Sequence, residues 1–275
     1  MTIGVRHTLD VRPFLKWAGG KTKLIQQYNL YFPKAYKTYY EPFLGGGAVF
    51  FYLNPTNATL TDINAELVNA YRCVKDNVEE LIKLLDVHQL KHSRDYYYDV
   101  RRFAYATDIE KAARLIYLNK TCFNGLYREN SQGEFNVPIG KYKNPKICNP
   151  VLLRAVSVTL QTAQIEVRHF EDILNYARSS NDFVYFDPPY HPLSSTSNFT
   201  AYSRYLFSQN DQIRLKEVFT ELAKRGVKVM LSNSDCEFIR ELYSEFNIYP
   251  ILASRLINSK ATKRGKIYEV LITSY

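Results

Sequence analysis

The apolar positions of this chain change period several times, and each change marks an element. A tyrosine-rich run at 38–41 reads as a short strand; it leads into Pro42-Phe43-Leu44-Gly45-Gly46-Gly47 and then an apolar helix beginning Ala48-Val49-Phe50-Phe51. Strand, glycine turn and helix in that order form a nucleotide-binding unit. A second strand, Ala58-Thr59-Leu60-Thr61, ends at Asp62 and completes the first half of a doubly wound sheet. From 64 to about 92 the spacing lengthens to three or four residues, through Leu67, Tyr71 and Val74 and then Leu81, Leu84, Leu85 and His88, which predicts helix. Two more helices are expected near 95–105 and 109–121. This helical block interrupts the strand–helix alternation and reads as an insertion. The following stretch, 123–146, is polar and rich in glycine, asparagine and lysine, and its Ser131-Gln132-Gly133 predicts a hairpin.

Strand-like runs return at 164–168, 183–186, 227–231 and 267–273, with a helical stretch at 212–225 between them. Phe183-Val184-Tyr185-Phe186 is apolar throughout, as a strand covered on both faces must be. Ahead of the first strand, residues 1–12 read as a loose leader. The run Pro13-Phe14-Leu15-Lys16-Trp17-Ala18-Gly19-Gly20-Lys21 then forms a glycine-containing loop that opens a helix through Leu24 and Ile25. The basic loop 254–266, with Arg255, Lys260, Lys263, Arg264 and Lys266, is either a solvated charge run or a phosphate contact.

A chain of 275 residues, 46% of them hydrophobic, can bury the full core such a fold needs. Its net charge of +9 favours a polyanionic partner, and its 23 Tyr and 16 Phe would suit base stacking beyond their core role. The four cysteines, Cys73, Cys122, Cys148 and Cys236, stand far apart without Cys-x-x-Cys spacing, which argues against a metal cluster and for unpaired thiols in a reduced, cytoplasmic setting. No apolar stretch reaches the roughly 18 residues of a membrane span.

Candidate chemistry concentrates at Asp187-Pro188-Pro189-Tyr190, at the carboxyl end of the apolar strand, where open α/β sheets place their ligands. Two prolines after an acid make a rigid turn that holds the Asp187 carboxylate and a proline carbonyl in preset directions. Read blandly, it is a strand-ending turn. Read chemically, two acceptors gripping both N–H groups of an exocyclic amine would free its conjugated lone pair, and the Tyr190 ring would offer a stacking face. An adenine N6 is out of reach within a duplex, so such a base would have to be flipped out. The Gly45-Gly46-Gly47 turn would let backbone approach a cofactor, although its spacing departs from Gly-x-Gly-x-x-Gly. Asp62 either binds ribose hydroxyls or caps the helix that begins near Asn64.

Phe14-Leu15-Lys16-Trp17-Ala18-Gly19-Gly20-Lys21, Glu41-Pro42-Phe43-Leu44-Gly45-Gly46-Gly47, Asp62-Ile63-Asn64, Asp187-Pro188-Pro189-Tyr190 and Leu231-Ser232-Asn233-Ser234 together resemble the ordered motifs of the Dam-type (DpnM-like) DNA adenine-N6 methyltransferase family. The resemblance covers nearly the whole chain. It implies a Rossmann-like α/β methyltransferase sheet at 1–64 and 149–275 with an inserted, mostly helical target-recognition domain at 65–148. It implies transfer of a methyl group from S-adenosyl-L-methionine, held by Trp17, Lys21, Glu41, Phe43, Gly45, Gly47, Asp62 and Asp187, to adenine in double-stranded DNA, with Asp187, Pro188, Pro189 and Tyr190 at the reacting atom. Phe123-Asn124-Gly125-Leu126-Tyr127-Arg128, Phe135-Asn136-Val137-Pro138 and Gly140-Lys141-Tyr142-Lys143 resemble the stretches that read 5′-GATC-3′ in the family. By that likeness Arg128 would read a guanine edge, Leu126 and Pro138 a thymine methyl, Phe123 would wedge into the stack beside Asn124, and Lys16 and Tyr142 would touch the other half of the site. The sequence shows no obligate protein partner, a monomer is expected, and methyl transfer from a sulfonium requires no metal. Related motifs serve cytosine-N4, RNA and protein-glutamine methylation; the motif order and the insertion favour DNA adenine.

Overall fold

The computed structural model describes residues 11–193, 207–254 and 266–275, so residues 1–10 of the leader and nearly all of the basic loop lie outside the described residues. Strand β1 (Thr38–Glu41) sits between β2 (Ala58–Asp62) and β4 (Asp182–Phe186) and runs parallel to both. Beyond β2 lies β3 (Ala163–Val167), and beyond β4 lies β5 (Lys228–Ser234), both again parallel. Strand β7 (Lys266–Thr273) is antiparallel to β5 and to the edge strand β6 (Asn247–Ser254), giving the order β3-β2-β1-β4-β5-β7-β6. This is the doubly wound, Rossmann-like sheet expected from the alternation. Strand β6 was not anticipated: Pro250 interrupts its pattern, and an edge position is where a strand tolerates a residue that cannot donate.

Strand alternation divides the core between the two faces of the sheet. Tyr39, Phe183, Tyr185, Met230 and Leu271 belong to one cluster, whereas their neighbours Tyr40, Val184, Phe186, Val229, Leu231, Val270 and Ile272 belong to the other. The second face is covered by α8 (Gln209–Lys224), α9 (Glu237–Leu242) and a 3-10 turn at Phe170–Asn175. The first is covered by α1 (Ile25–Tyr28), α2 (Ala48–Leu53) and the helical block.

That block holds α3 (Ala65–Asp76), α4 (Val78–Lys91), α5 (Arg94–Arg102) and α6 (Asp108–Thr121). The helical pattern from 64 to 92 is therefore two helices, parted at Asn77. Helix α5 ends three residues before the expected 105, and α6 starts on a Thr107–Glu110 capping box. Apolar residues of the block, among them Leu67, Leu81, Tyr97 and Ile116, are continuous with the first-face core. Helix α7 (Pro150–Leu160), begun by the Asn149 cap and an N-terminal proline, returns the chain to the sheet. The predicted hairpin is present: Glu129 bridges Phe135, and the Asn130 N–H donates to the Glu134 carbonyl at 2.9 Å. All four cysteines are unpaired.

Candidate active site

The chain winds from β1 outward through β2 and β3, then crosses to β4 and β5 on the other side. The carboxyl ends of β1 and β4 therefore flank the topological switch point, the crevice where such sheets bind ligands. Glu41 ends β1, Asp62 ends β2 and Asp187 follows β4, so three carboxylates separated in sequence share one edge.

The glycine turn is built from backbone geometry. Gly45 has φ +47°, and a Cβ there would come 2.9 Å from Cδ1 of Trp17, so conformation and space both demand glycine. The Gly45 N–H donates to Asp62 Oδ2 at 3.1 Å, the Asn64 N–H donates to Asp62 Oδ1 at 2.9 Å, and the Tyr71 hydroxyl donates to the Gly45 carbonyl at 3.1 Å. The cap of α3 is Asn64, whose side chain accepts from the Leu67 N–H at 3.0 Å. Asp62 thus clamps the glycine turn to the start of α3, and burial pushes its carboxyl up to about 6 despite these donors. Glu41 lies beneath the edge at 2% exposure; the Tyr39 hydroxyl donates to it at 2.7 Å, and burial pushes its carboxyl up to about 8. Trp17 is half-buried and stacks on Tyr127 with ring centroids 5.4 Å apart. Gly47 is buried against Tyr71 and Phe51, whereas Phe43 packs on Phe170 among residues of the second face.

Asp187 Oδ1 receives two donors, the Ser232 hydroxyl at 2.8 Å and the Lys21 ammonium at 2.8 Å. The Lys21 ammonium also donates to the Gly19 carbonyl at 2.6 Å and lies 4.6 Å from the centroid of the Tyr190 ring. Tyr190 in turn donates its hydroxyl to Glu269 Oε2 at 2.8 Å. The Pro189 carbonyl accepts from Gln212 Nε2 at 2.9 Å; Gln212 Oε1 accepts from Asn233 Nδ2 at 3.0 Å, and Asn233 Oδ1 accepts from the His191 N–H at 3.1 Å. Gln212 and Asn233 are buried with these bonds made, a satisfied network that fixes the 187–191 segment. It also commits the Pro189 carbonyl, while the Pro188 carbonyl accepts no hydrogen bond among the described residues.

Sequence reading passed over Gln212 and Glu269 and assigned no role to Ser232 or Asn233. Glu269 carried a signal, as the only acid in the otherwise mostly apolar β7; Gln212 carried none, being one polar residue in an amphipathic helix.

The residues expected to meet DNA come together in pairs. Asn119 holds the Lys16 backbone through two bonds, Lys16 N–H to Oδ1 at 2.8 Å and Nδ2 to the Lys16 carbonyl at 2.6 Å. The Lys16 ammonium stands 4.3 Å from the Tyr142 ring centroid. At Gly125, φ +64°, a Cβ would come 2.5 Å from Lys16 Cδ, so this turn must be glycine for the lysine to lie across it. The Phe123 N–H donates to the Pro138 carbonyl at 2.9 Å, bringing these two exposed residues side by side, with Leu126 half-buried behind them. Asn124 is exposed in a left-handed conformation at φ 56°. Arg128 is exposed, and its Nε donates to Asn136 Oδ1 at 2.7 Å across the hairpin. Lys120, half-buried near Lys16 and Arg12, has its ammonium pushed down to about 8 by desolvation and these like charges.

Among the described residues no helix is long and apolar enough to cross a membrane, and no three His, Cys, Asp or Glu side chains gather as a metal-ligand set. Residues 17–257 match the family model of D12 class N6 adenine-specific DNA methyltransferases. The chain is 45% identical to the type II methyltransferase M1.LlaDCHI of Lactococcus lactis subsp. cremoris, covering 100% of this chain and 99% of the relative. It is 44% identical to the type II methyltransferase M.MjaIII of Methanocaldococcus jannaschii, over 97% of this chain and 100% of the relative. It is 35% identical to the DNA adenine methylase of Escherichia coli K12, over 94% of each. By the family model and by these relatives alike, the chain belongs to the D12 class of N6 adenine-specific DNA methyltransferases.

Proposed function

We propose that the protein methylates N6 of adenine in double-stranded DNA at 5′-GATC-3′, drawing the methyl group from S-adenosyl-L-methionine and acting on a base flipped out of the duplex. The observation that carries the chemical part is the Asp187–Pro188 pair of acceptors, held at the sheet's switch point by Lys21, Ser232 and the Gln212–Asn233 network. Asp187 and the Pro188 carbonyl accept from the two N–H groups of adenine N6 and draw its lone pair out of conjugation. The Tyr190 ring stacks on the base. Lys21 and Ser232 keep Asp187 Oδ1 in place, so its orientation is set before the base arrives.

The residues fit the donor. The left-handed Gly45 lets the Trp17 indole lie against the turn, and the Asp62 carboxylate, oriented by the Gly45 and Asn64 N–H groups, is the acceptor offered to ribose hydroxyls. We assign Trp17, Lys21, Glu41, Phe43, Gly45, Gly47, Asp62 and Asp187 to this site. When bound, S-adenosylmethionine supplies a methyl group on a sulfonium, reactive enough for direct attack by N6 without a metal.

Residues 65–148 are assigned to target recognition and 1–64 with 149–275 to catalysis. Exposure of Phe123, Asn124, Arg128, Pro138 and Tyr142, and the lysine laid on Tyr142, support DNA contact there. A site on DNA places the enzyme's work in the cytoplasm, and we expect a monomer. Digestion of DNA from expressing cells with methyl-sensitive and methyl-dependent GATC nucleases tests the reading. Resistance to the first and cleavage by the second is expected; the reverse pattern refutes GATC specificity.

A further inference from the structure

Glu269 is an acid next to the buried Val270, Leu271 and Ile272 of β7. It stands opposite Ser234 of β5 in strand register, half-buried, against the half-buried Tyr190. Taking a carboxylate out of water is costly unless it is paired and hydrogen-bonded. Burial leaves the Glu269 carboxyl raised above its ordinary value, and two groups offset part of that cost. The Tyr190 hydroxyl donates to Oε2 at 2.8 Å, and the Lys21 ammonium, against the ring of the same tyrosine at 4.6 Å, lowers the Glu269 carboxyl against the burial that raises it. A tyrosine held only at Cβ can swing about χ1 and χ2; a bond at the hydroxyl fixes the axis of the ring, and because a phenolic O–H lies in the ring plane, the direction of its acceptor also favours one plane. The strand next to β5 therefore supplies the second point that fixes this ring.

We propose that Glu269 is a positioning residue: by anchoring the Tyr190 hydroxyl it sets the ring plane on which the target adenine stacks, within reach of Asp187. This rests on the stacking role assigned to Tyr190 above. The bond acts only through the ring, so its loss slows the chemical step while cofactor affinity and fold survive.

The test is the single-turnover rate of methyl transfer to a GATC duplex, with S-adenosylmethionine affinity by equilibrium dialysis and thermal unfolding alongside. Glu269→Ala and Tyr190→Phe should each slow the step by about ten-fold or more, the range of a hydrogen bond to a charged group, with cofactor affinity kept. Because both remove one bond, the double variant should be no slower than either alone. Glu269→Gln, which still accepts from the hydroxyl in a weaker neutral bond, should fall between wild type and Glu269→Ala. Tyr190→Phe leaves β7 untouched, so misfolding of Glu269→Ala would not protect the idea. Tyr190→Ala separates the two readings. If it transfers at the wild-type rate, stacking by Tyr190 is wrong and the proposal falls with it. If it is slow while Tyr190→Phe and Glu269→Ala stay within about two-fold of wild type, stacking stands and Glu269 does not position it. A double variant slower by the product of the single losses also overturns the proposal.

Discussion

The Lys21 ammonium, in a side chain only 3% exposed, lies 2.8 Å from Asp187 Oδ1, so a loop ahead of the first strand and the turn after the fourth meet as an ion pair. The Lys21 ammonium is taken up by Asp187, the Gly19 carbonyl and the Tyr190 ring. Removing one partner of a buried pair strands the other. Lys21→Met should therefore destabilise the protein by about 3 kcal/mol, the low end for such pairs because Asp187 keeps some solvent contact. Urea unfolding at the wild-type midpoint would show that the pair is energetically idle.

Ser232 shares Asp187 Oδ1 with Lys21 and itself accepts from the Tyr185 hydroxyl at 3.0 Å. Asp187→Ala should abolish incorporation of tritiated methyl groups in a folded protein. Ser232→Ala removes one donor to a charged acceptor and should cost about 1.5–3 kcal/mol in kcat/KM, or roughly ten- to a hundred-fold. A rate equal to wild type would remove Ser232 from the machinery.

Arg128 is aimed by Asn136 through its Nε, which leaves its terminal nitrogens for a base edge. Arg128→Ala should cost about 1–3 kcal/mol on GATC and relax discrimination at one guanine, with little change in non-specific binding. Asn136→Ala should have a smaller effect in the same direction. Competition between GATC and single-base variants at several salt concentrations decides: uniform weakening with the salt slope reduced by roughly one unit would make Arg128 a phosphate contact.

Burial raises the Glu41 carboxyl from 4.5 to about 8, so the folded state holds this proton more tightly than the unfolded chain. The associated stability is full below the unfolded value and is lost as pH rises through the folded one. Asp62, raised from 3.8 to about 6, acts in the same direction over a lower window. Urea midpoints measured at about pH 5 and about pH 8 should therefore fall more for wild type than for Glu41→Gln, which cannot titrate. Equal falls would mean that Glu41 titrates normally.

Tyr243 is fully buried, and its hydroxyl has no hydrogen-bond partner among the described residues. Tyr243→Phe should stabilise the protein by about 1 kcal/mol, because an unsatisfied buried hydroxyl costs more than its replacement by hydrogen. A lower melting temperature would indicate a partner for the hydroxyl in solution.

What the sequence determined by itself was local. The period of the apolar residues defined β1, β2, β4 and α6, because each follows from contiguous side chains choosing one face, and consecutive turn residues marked the hairpin. The turn from Glu41 to Gly47 and the Asp187-Pro188-Pro189-Tyr190 segment were legible for the same reason: their chemistry lies in consecutive residues. Where a local rule was broken, reading failed, as at β6 with Pro250 and at Asn77, which parts two helices within one pattern. Only the tertiary structure decided which distant groups meet. Lys21 and Ser232 converge on Asp187, Gln212 takes the Pro189 carbonyl, Glu269 takes the Tyr190 hydroxyl, and Asp62 clamps Gly45. Each is a single polar side chain whose partner lies from 17 to well over a hundred residues away. No periodicity records such a pairing, because it is set by strand order and register, and those follow from burying both faces of one sheet.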